Sequence, residues 1–201
     1  METVKTVKWQ EFTKAYVPTI IVWVTLSAML ALPKYSFPVA LLQAAIILCW
    51  SYGGHVLAHK ISSTGPLSYI NPHVFLHHNK SILLPRPVEL LIESITNFLG
   101  FFIIFILQKI ADVEFFSPSL LIGAAFLYIT IHILDYSLRG NEDHGQHHVK
   151  SYCNYNPEFF DTLFDTRCEP EKPYTNMAWE IPHAIVAFAT AALVKIAFRL
   201  D

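Results

Sequence analysis

VPTIIVWVTLSAMLALPKYSFPVALLQAAIILCWSYGGH, residues 17–55, contains one charged side chain, Lys34, set in the break Pro33-Lys34-Tyr35-Ser36-Phe37-Pro38 between two apolar runs. A membrane span needs roughly 20 apolar residues at about 1.5 Å rise each. Val17 to Pro33 and Phe37 to Tyr52, lengthened by their flanking turns, therefore read as a helical hairpin that returns the chain to its starting side. A second pair, Val88 to Ile110 and Ser119 to Leu138, flanks the break at 111–118, whose Ser117-Pro118 is a helix start. The expected fold is thus all-α: an integral membrane bundle of four transmembrane helices. The even count puts the N-terminus, Gly53 to Pro87 and Arg139 to Pro182 on one side.

Composition agrees with a membrane protein. Of 201 residues, 53% are hydrophobic and 15% charged, too apolar for an ordinary soluble domain of this size, and the length allows one functional unit, residues 1–201. A formal charge of −2 without a basic face argues against a nucleic-acid partner. Lys5, Lys8, Lys14, Lys60, Lys80, Arg86, Arg139, Lys150, Arg167 and Lys172 fall on the shared side and only Lys34 and Lys109 opposite, which makes the shared side cytosolic. The run Ala184 to Phe198 is short and ends in Lys195 and Arg199, so it is expected in the interface or dipping partly into the bilayer. Cys49, Cys153 and Cys168 lie far apart without CxxC spacing, which suggests neither a disulfide framework nor a thiolate site and fits a reducing face. The first sixteen residues, with Glu2, Lys5, Lys8, Glu11 and Lys14, do not resemble a removable signal peptide.

Eight of the ten histidines fall into three groups. His55-x-x-x-His59 continues from the second span, and an i, i+4 pair projects from one helical face. His73-x-x-x-His77-His78 repeats the pair and adds a neighbour turned by about 100° around the axis, so the doublet can serve two metals. His144-x-x-His147-His148 has the same design at i, i+3. Asn71-Pro72 reads as an N-cap and N1 proline that places His73 in the first turn of a short helix. An isolated histidine is ordinarily a surface or hydrogen-bonded core residue. Three groups with ligand spacing on one membrane face have no packing explanation and point to metal. Eight imidazoles exceed what one tetrahedral ion uses, which favours two ions, and imidazole ligation suits iron, zinc or copper alike.

His132 lies near the cytosolic end of the fourth span with Asp135 close behind it. Ionisable groups at that depth face a protein interior, so both are candidates for the site, as ligand or as a partner that orients one. His183, before the last apolar run, is a weaker candidate. Glu89 and Glu93 open the third span at i, i+4, placed either to hydrogen-bond ligand histidines or to complement the helix N-terminus. Glu142 and Asp143 read as solvated loop charges. Asn156-Pro157 again reads as an N-cap and N1 proline, opening a helix to Thr166 whose Phe159, Phe160, Leu163 and Phe164 share one side, as in an interfacial helix over the metal site.

HVLAH at 55–59, HVFLHH at 73–78, RPVE at 86–89, HGQHH at 144–148 and NYNPEFFDTLFDT at 154–166 together resemble the fatty acid hydroxylase and sterol desaturase superfamily of membrane oxygenases, over about residues 50–167. The resemblance implies that a cytosolic helical cap over the four-helix bundle carries a dimetal centre, two iron ions in function with zinc a substitute in an isolated sample, held by His55, His59, His73, His77, His78, His144, His147 and His148. His132 resembles the extra histidine often found before the third box. It also implies insertion of oxygen into, or desaturation of, a fatty acyl, sphingolipid or sterol C–H bond, with hydroxylation the favoured outcome. A membrane lipid, O2 and an electron donor such as cytochrome b5 or a ferredoxin would be the partners, in the endoplasmic reticulum of a eukaryote. The chain shows no haem or flavin motif of its own, and Lys60, Lys80, Arg86 and Lys150 are placed to steer an acidic donor. The main rival, a metal transporter, calls for ligands near mid-membrane along a pathway. A haem electron carrier leaves the histidine doublets unexplained.

Overall fold

The computed structural model describes residues 7–61, 65–71, 73–78 and 84–200, and among these every regular element is helical. Glu2, Lys5, Lys80 and the expected N1 proline Pro72 lie outside the described residues. The first hairpin forms as expected, from α1 (Trp9–Ala31) and α2 (Phe37–Lys60). Short 3-10 and π segments, Pro66–Ile70 and His73–His77, lead to α3 (Arg86–Ile110). Helix α4 (Pro118–Tyr128) starts where Ser117-Pro118 predicts, with Ser117 Oγ accepting the amide of Leu120 at 3.3 Å. It then widens into a π-helix, Ile129–Asp135, before α5 (Tyr136–Arg139), α6 (Glu142–Val149), α7 (Glu158–Leu163), a 3-10 turn at Met177–Glu180 and α8 (Ile181–Phe198).

Among the described residues five helices are long and apolar enough to cross a membrane, one more than the four expected; the fifth is Met177–Phe198. Helix α8, expected in the interface or dipping partly into the bilayer, packs lengthwise against α1 and α4. Its first turn stands beside Asp135, where His183 Nε2 is 3.3 Å from Oδ1, and its last turn reaches the opposite end, where Lys195 Nζ donates to the carbonyls of Leu30 and Leu32 at 2.7 Å each. The helix therefore runs the height of the bundle, parallel to α1 and antiparallel to α4, with Ala184, Ala187, Phe188 and Ala191 buried. In the sequence Lys195 counts against a full crossing; in the structure the carbonyls left over at the C-terminal end of α1 accommodate it. Gly123 sets the close approach here, since a Cβ at that position would stand 2.2 Å from Leu30 Cδ1 and 3.0 Å from Phe188 Cδ1. At this same end Glu114 Oε2 meets Lys34 at 3.2 Å and Oε1 meets Lys109 at 3.2 Å, so one acid serves both of the opposite-side lysines.

The other end carries the histidines, beneath a folded segment rather than an interfacial helix. Helix α7 begins at Glu158, after a cis Asn156–Pro157 bond, and stops at Leu163, so Pro157 is the capping residue rather than the first helical one. The Asp161 carboxylate gathers the segment around itself, accepting the amides of Tyr155 and Asn156 at 2.9 and 2.7 Å and the Thr166 hydroxyl at 2.6 Å. Phe159 and Phe160 turn into the core with Tyr16, Trp23 and Tyr52, whereas Leu163 and Phe164 are exposed. The four side chains thus divide between core and surface. Tyr16, fully buried in α1, donates to Glu158 Oε1 at 2.9 Å and fastens the segment to the bundle.

Candidate metal centre

All nine histidines expected at the site converge there, and they do so in groups. His55 and His59 come from the last turns of α2, His73, His77 and His78 from the π-turn and the residue after it, His132 from the widened end of α4, and His144, His147 and His148 from α6. Asn71 positions the second set: its Oδ1 accepts the amide of Val74 at 3.4 Å, and its Nδ2 donates to the carbonyl of Ala58 at 2.6 Å. Asn141 caps α6 through the amide of His144 at 2.8 Å. A π-turn fits an extra residue into the helical circuit, and such turns recur at functional sites. Two of them here carry His73, His77 and His132.

One group is His55, His59, His73, His78 and His147, with one ligand nitrogen of each within 4.8 Å of the others. Two further groups, His77 with His78 and His148, and His77 with His132 and His144, lie beside it. His78 belongs to both sides, its ring centroid 4.5 Å from His59 and 4.7 Å from His148. The arrangement therefore divides into two ligand clusters that meet at His78.

The nitrogen geometry suits ions better than hydrogen bonds. In the first cluster His55 Nε2 is 3.3 Å from His59 Nε2 and 3.1 Å from His147 Nε2, His59 and His147 are 3.0 Å apart, and His73 lies 3.2 Å from His59. An imidazole nitrogen either donates or accepts, so His55, His59 and His147 cannot satisfy all three sides of their triangle with hydrogen bonds. Four nitrogens at about 2.0–2.1 Å from an ion lie about 3.3–3.4 Å apart in a tetrahedron and about 2.8–3.0 Å apart at cis octahedral positions. The observed spacings fall in that range. In the second cluster His144 and His148 Nε2 are 2.9 Å apart, while His77 Nε2 and both ring nitrogens of His78 and of His132 are buried with no hydrogen-bond partner among the described residues. These groups could hold metal ions.

The outer partners fix which nitrogen faces inward. His147 Nδ1 donates to the Cys153 carbonyl at 2.6 Å, and His77 Nδ1 donates to the buried Glu93 carboxylate, so each presents an Nε2 lone pair to its cluster. Of the two expected roles for Glu93, this is the histidine-orienting one. Glu89 joins Glu93 and His77 in a possible ligand group while pairing with Arg86 at 2.6 Å. Asp135 is turned away from the clusters, towards His183 and, at 3.5 Å, Arg139. His183 is in none of the ligand groups. Burial and then the surrounding imidazoles hold His73, His78 and His144 well below the usual histidine range. Burial lowers His147 to about 4, against the Cys153 hydrogen bond that raises it and ahead of the His77 charge that lowers it further. These rings are uncharged at neutral pH, with lone pairs available.

Two features had no sequence expectation, and a third overturns one. Tyr128 stacks on His132 with ring centroids 4.7 Å apart; it lies one helical turn earlier, a spacing the sequence carries. The Tyr155 ring stands 5.5–5.9 Å from His147, His59 and His55, a contact no local pattern announces. Cys153 and Cys168 form a disulfide, correcting the expectation of unpaired cysteines: the fold-back around Asp161 brings their Cα atoms to 5.1 Å. Cysteine usage therefore no longer argues for a reducing face. Comparison with models of known families, with curated proteins and with solved structures finds no match.

Proposed function

We propose that this chain is a membrane-bound di-iron oxygenase of the fatty acid hydroxylase and sterol desaturase type, hydroxylating a lipid C–H bond with O2 and electrons from an external donor. The observation that carries this reading is the pair of histidine clusters meeting at His78, next to an apolar cavity that reaches His132. His55, His59, His73 and His147 would hold one ion, His77, His132, His144 and His148 the other, with His78 between them. The choice of iron over zinc or copper rests on the resemblance of the histidine motifs.

Bound iron would supply O2 activation and hydrogen abstraction from an unactivated carbon, chemistry that no side chain of the chain performs. The residues supply position and dryness. Trp23, Leu127, Ile131 and Tyr128 line the cavity beside His132 and exclude water from it. His77 and His147 are oriented before any ligand arrives, by Glu93 and by the Cys153 carbonyl. Exposed Lys60, Arg86 and Lys150 near the histidine end offer an acidic donor such as cytochrome b5 or a ferredoxin a favourable approach. Lys8, Lys14, Arg139, Arg167 and Lys172 share that end and support a cytosolic placement for it, in the endoplasmic reticulum of a eukaryote. A transport role has less support, because the ligand nitrogens gather at one end of the bundle instead of along its axis.

Expression in a host without lipid hydroxylases, followed by lipid mass spectrometry, tests the reading. The expected result is an oxygen-dependent gain of one oxygen atom in a lipid, absent with His148→Ala. Loss of two hydrogens would assign desaturation instead, and unchanged lipids would refute the oxygenase.

A further inference from the structure

Helix α2 packs on α1 and α4, and α3 packs on α4 and on the π-turn at His73–His77, leaving a cleft between α2 and α3. Its volume is about 290 Å³, and it leads to His55 and His73. Both walls are thinned by small residues, Gly54 and Ala58 on α2 and Gly100 on α3. Its rims, Trp50 and Ile103, are exposed apolar side chains on helices long enough to span a bilayer, so the cleft opens sideways towards lipid.

The lining is less polar than its composition. Ser51 Oγ donates to the carbonyl of Leu48 at 2.7 Å, Thr96 Oγ1 to that of Glu93 at 3.0 Å and Asn97 Nδ2 to the same carbonyl at 2.7 Å. Each of these donors is thus turned back onto its own helix, which leaves a surface suited to methylenes. Phe101 and Tyr128, with ring centroids 5.9 Å apart, line both this cleft and the tighter interior cavity beside His132.

We propose that the cleft between α2 and α3 receives one alkyl chain of a membrane lipid directly from the bilayer, lays it past His55 and His73, and uses Phe101 and Tyr128 to limit how far it passes. This rests on the oxygenase reading for its purpose but not for its test. A chain dissolved in the bilayer gains little by leaving other chains, so selection depends on cleft shape, which Gly100 and Gly54 set.

The test uses the metal-loaded protein in phosphatidylcholine vesicles containing a lipid with a photoreactive diazirine along its acyl chain, with adducts mapped by peptide mass spectrometry. The expected adducts concentrate on residues 50–58 and 96–103. They fall to the level of other lipid-facing positions in Gly100→Trp, where the built Cβ meets no neighbour within 4 Å and the large ring fills the cleft. Leu107→Trp, exposed on α3 outside the cleft, should leave the pattern unchanged. Unchanged metal content in Gly100→Trp certifies the fold, and Gly100→Leu serves if that variant loses metal. Adducts spread evenly over the lipid-facing helices, or an unchanged cleft signal in a metal-replete Gly100 variant, would overturn the proposal. Cleft adducts that Gly100→Trp abolishes, in a protein that leaves host lipids unoxidised, would support the cleft and refute the oxygenase reading.

Discussion

His147 donates from Nδ1 to the carbonyl of Cys153 at 2.6 Å, and Cys153 is itself tied to Cys168. A histidine of the first cluster is thereby held by a loop whose closure is covalent, reinforced where the Cys168 amide donates to Asn154 Oδ1 at 2.8 Å. Cys168→Ser should lower stability by about 2–3 kcal/mol, the usual effect of opening a short closed loop. It should also weaken the metal site about tenfold as the carbonyl loses its fixed position. Thermal unfolding and competition with a chelator measure the two effects separately.

Glu93 acts on the other cluster. Glu93→Gln keeps the size of the side chain but removes the charge that favours the inward-facing Nε2 of His77. Metal affinity of the second cluster should fall about 10–100-fold while the first is unaffected. Chelator titration should then resolve one weakly and one tightly held ion per chain.

Acid should destabilise the metal-free protein early. His147 is held at about 4, and His73, His78 and His144 are also held low, against about 6.5 in the unfolded chain. Between about pH 6.5 and 4 the unfolded chain therefore binds protons that the folded one does not, so stability falls as pH falls through that window. The melting temperature of the metal-free protein should drop steadily from pH 7 to 4.5. A flat profile would mean that these rings are solvated and ordinary.

Topology has a direct reading. If α8 crosses the bilayer, cysteines introduced in a Cys49→Ser background at Val149, beside the histidines, and at Arg199, beyond α8, face opposite sides. A membrane-impermeant thiol reagent added to sealed vesicles should label one and spare the other. Labelling of both from the same side would return α8 to the interface.

What the sequence disclosed and what it hid follow physical lines. The α1–α2 hairpin, the start of α4 and the i, i+4 pair His55 and His59 are local, set by apolar run length, capping and helical period, and they stand where expected. Local pattern could not disclose what a distant residue decides. Lys195 reads as a barrier to crossing until the carbonyls of Leu30 and Leu32 are placed beside it. Cys153 and Cys168 read as unrelated until Asp161 folds the chain between them, with Asn154, Asn156 and Asp165 in the left-handed region. Division of the histidines between two clusters is likewise a tertiary property, because the spacing within each motif gives a face but not its partner.

The most direct measurement is the metal content of the purified chain by elemental mass spectrometry, compared among four proteins. Two ions per chain are expected in the unsubstituted protein, one each in His73→Ala and His132→Ala after mild chelation, and loss of both in His78→Ala, the residue the clusters share. A single ion in the unsubstituted protein, or two retained by His78→Ala, would contradict the two-cluster centre.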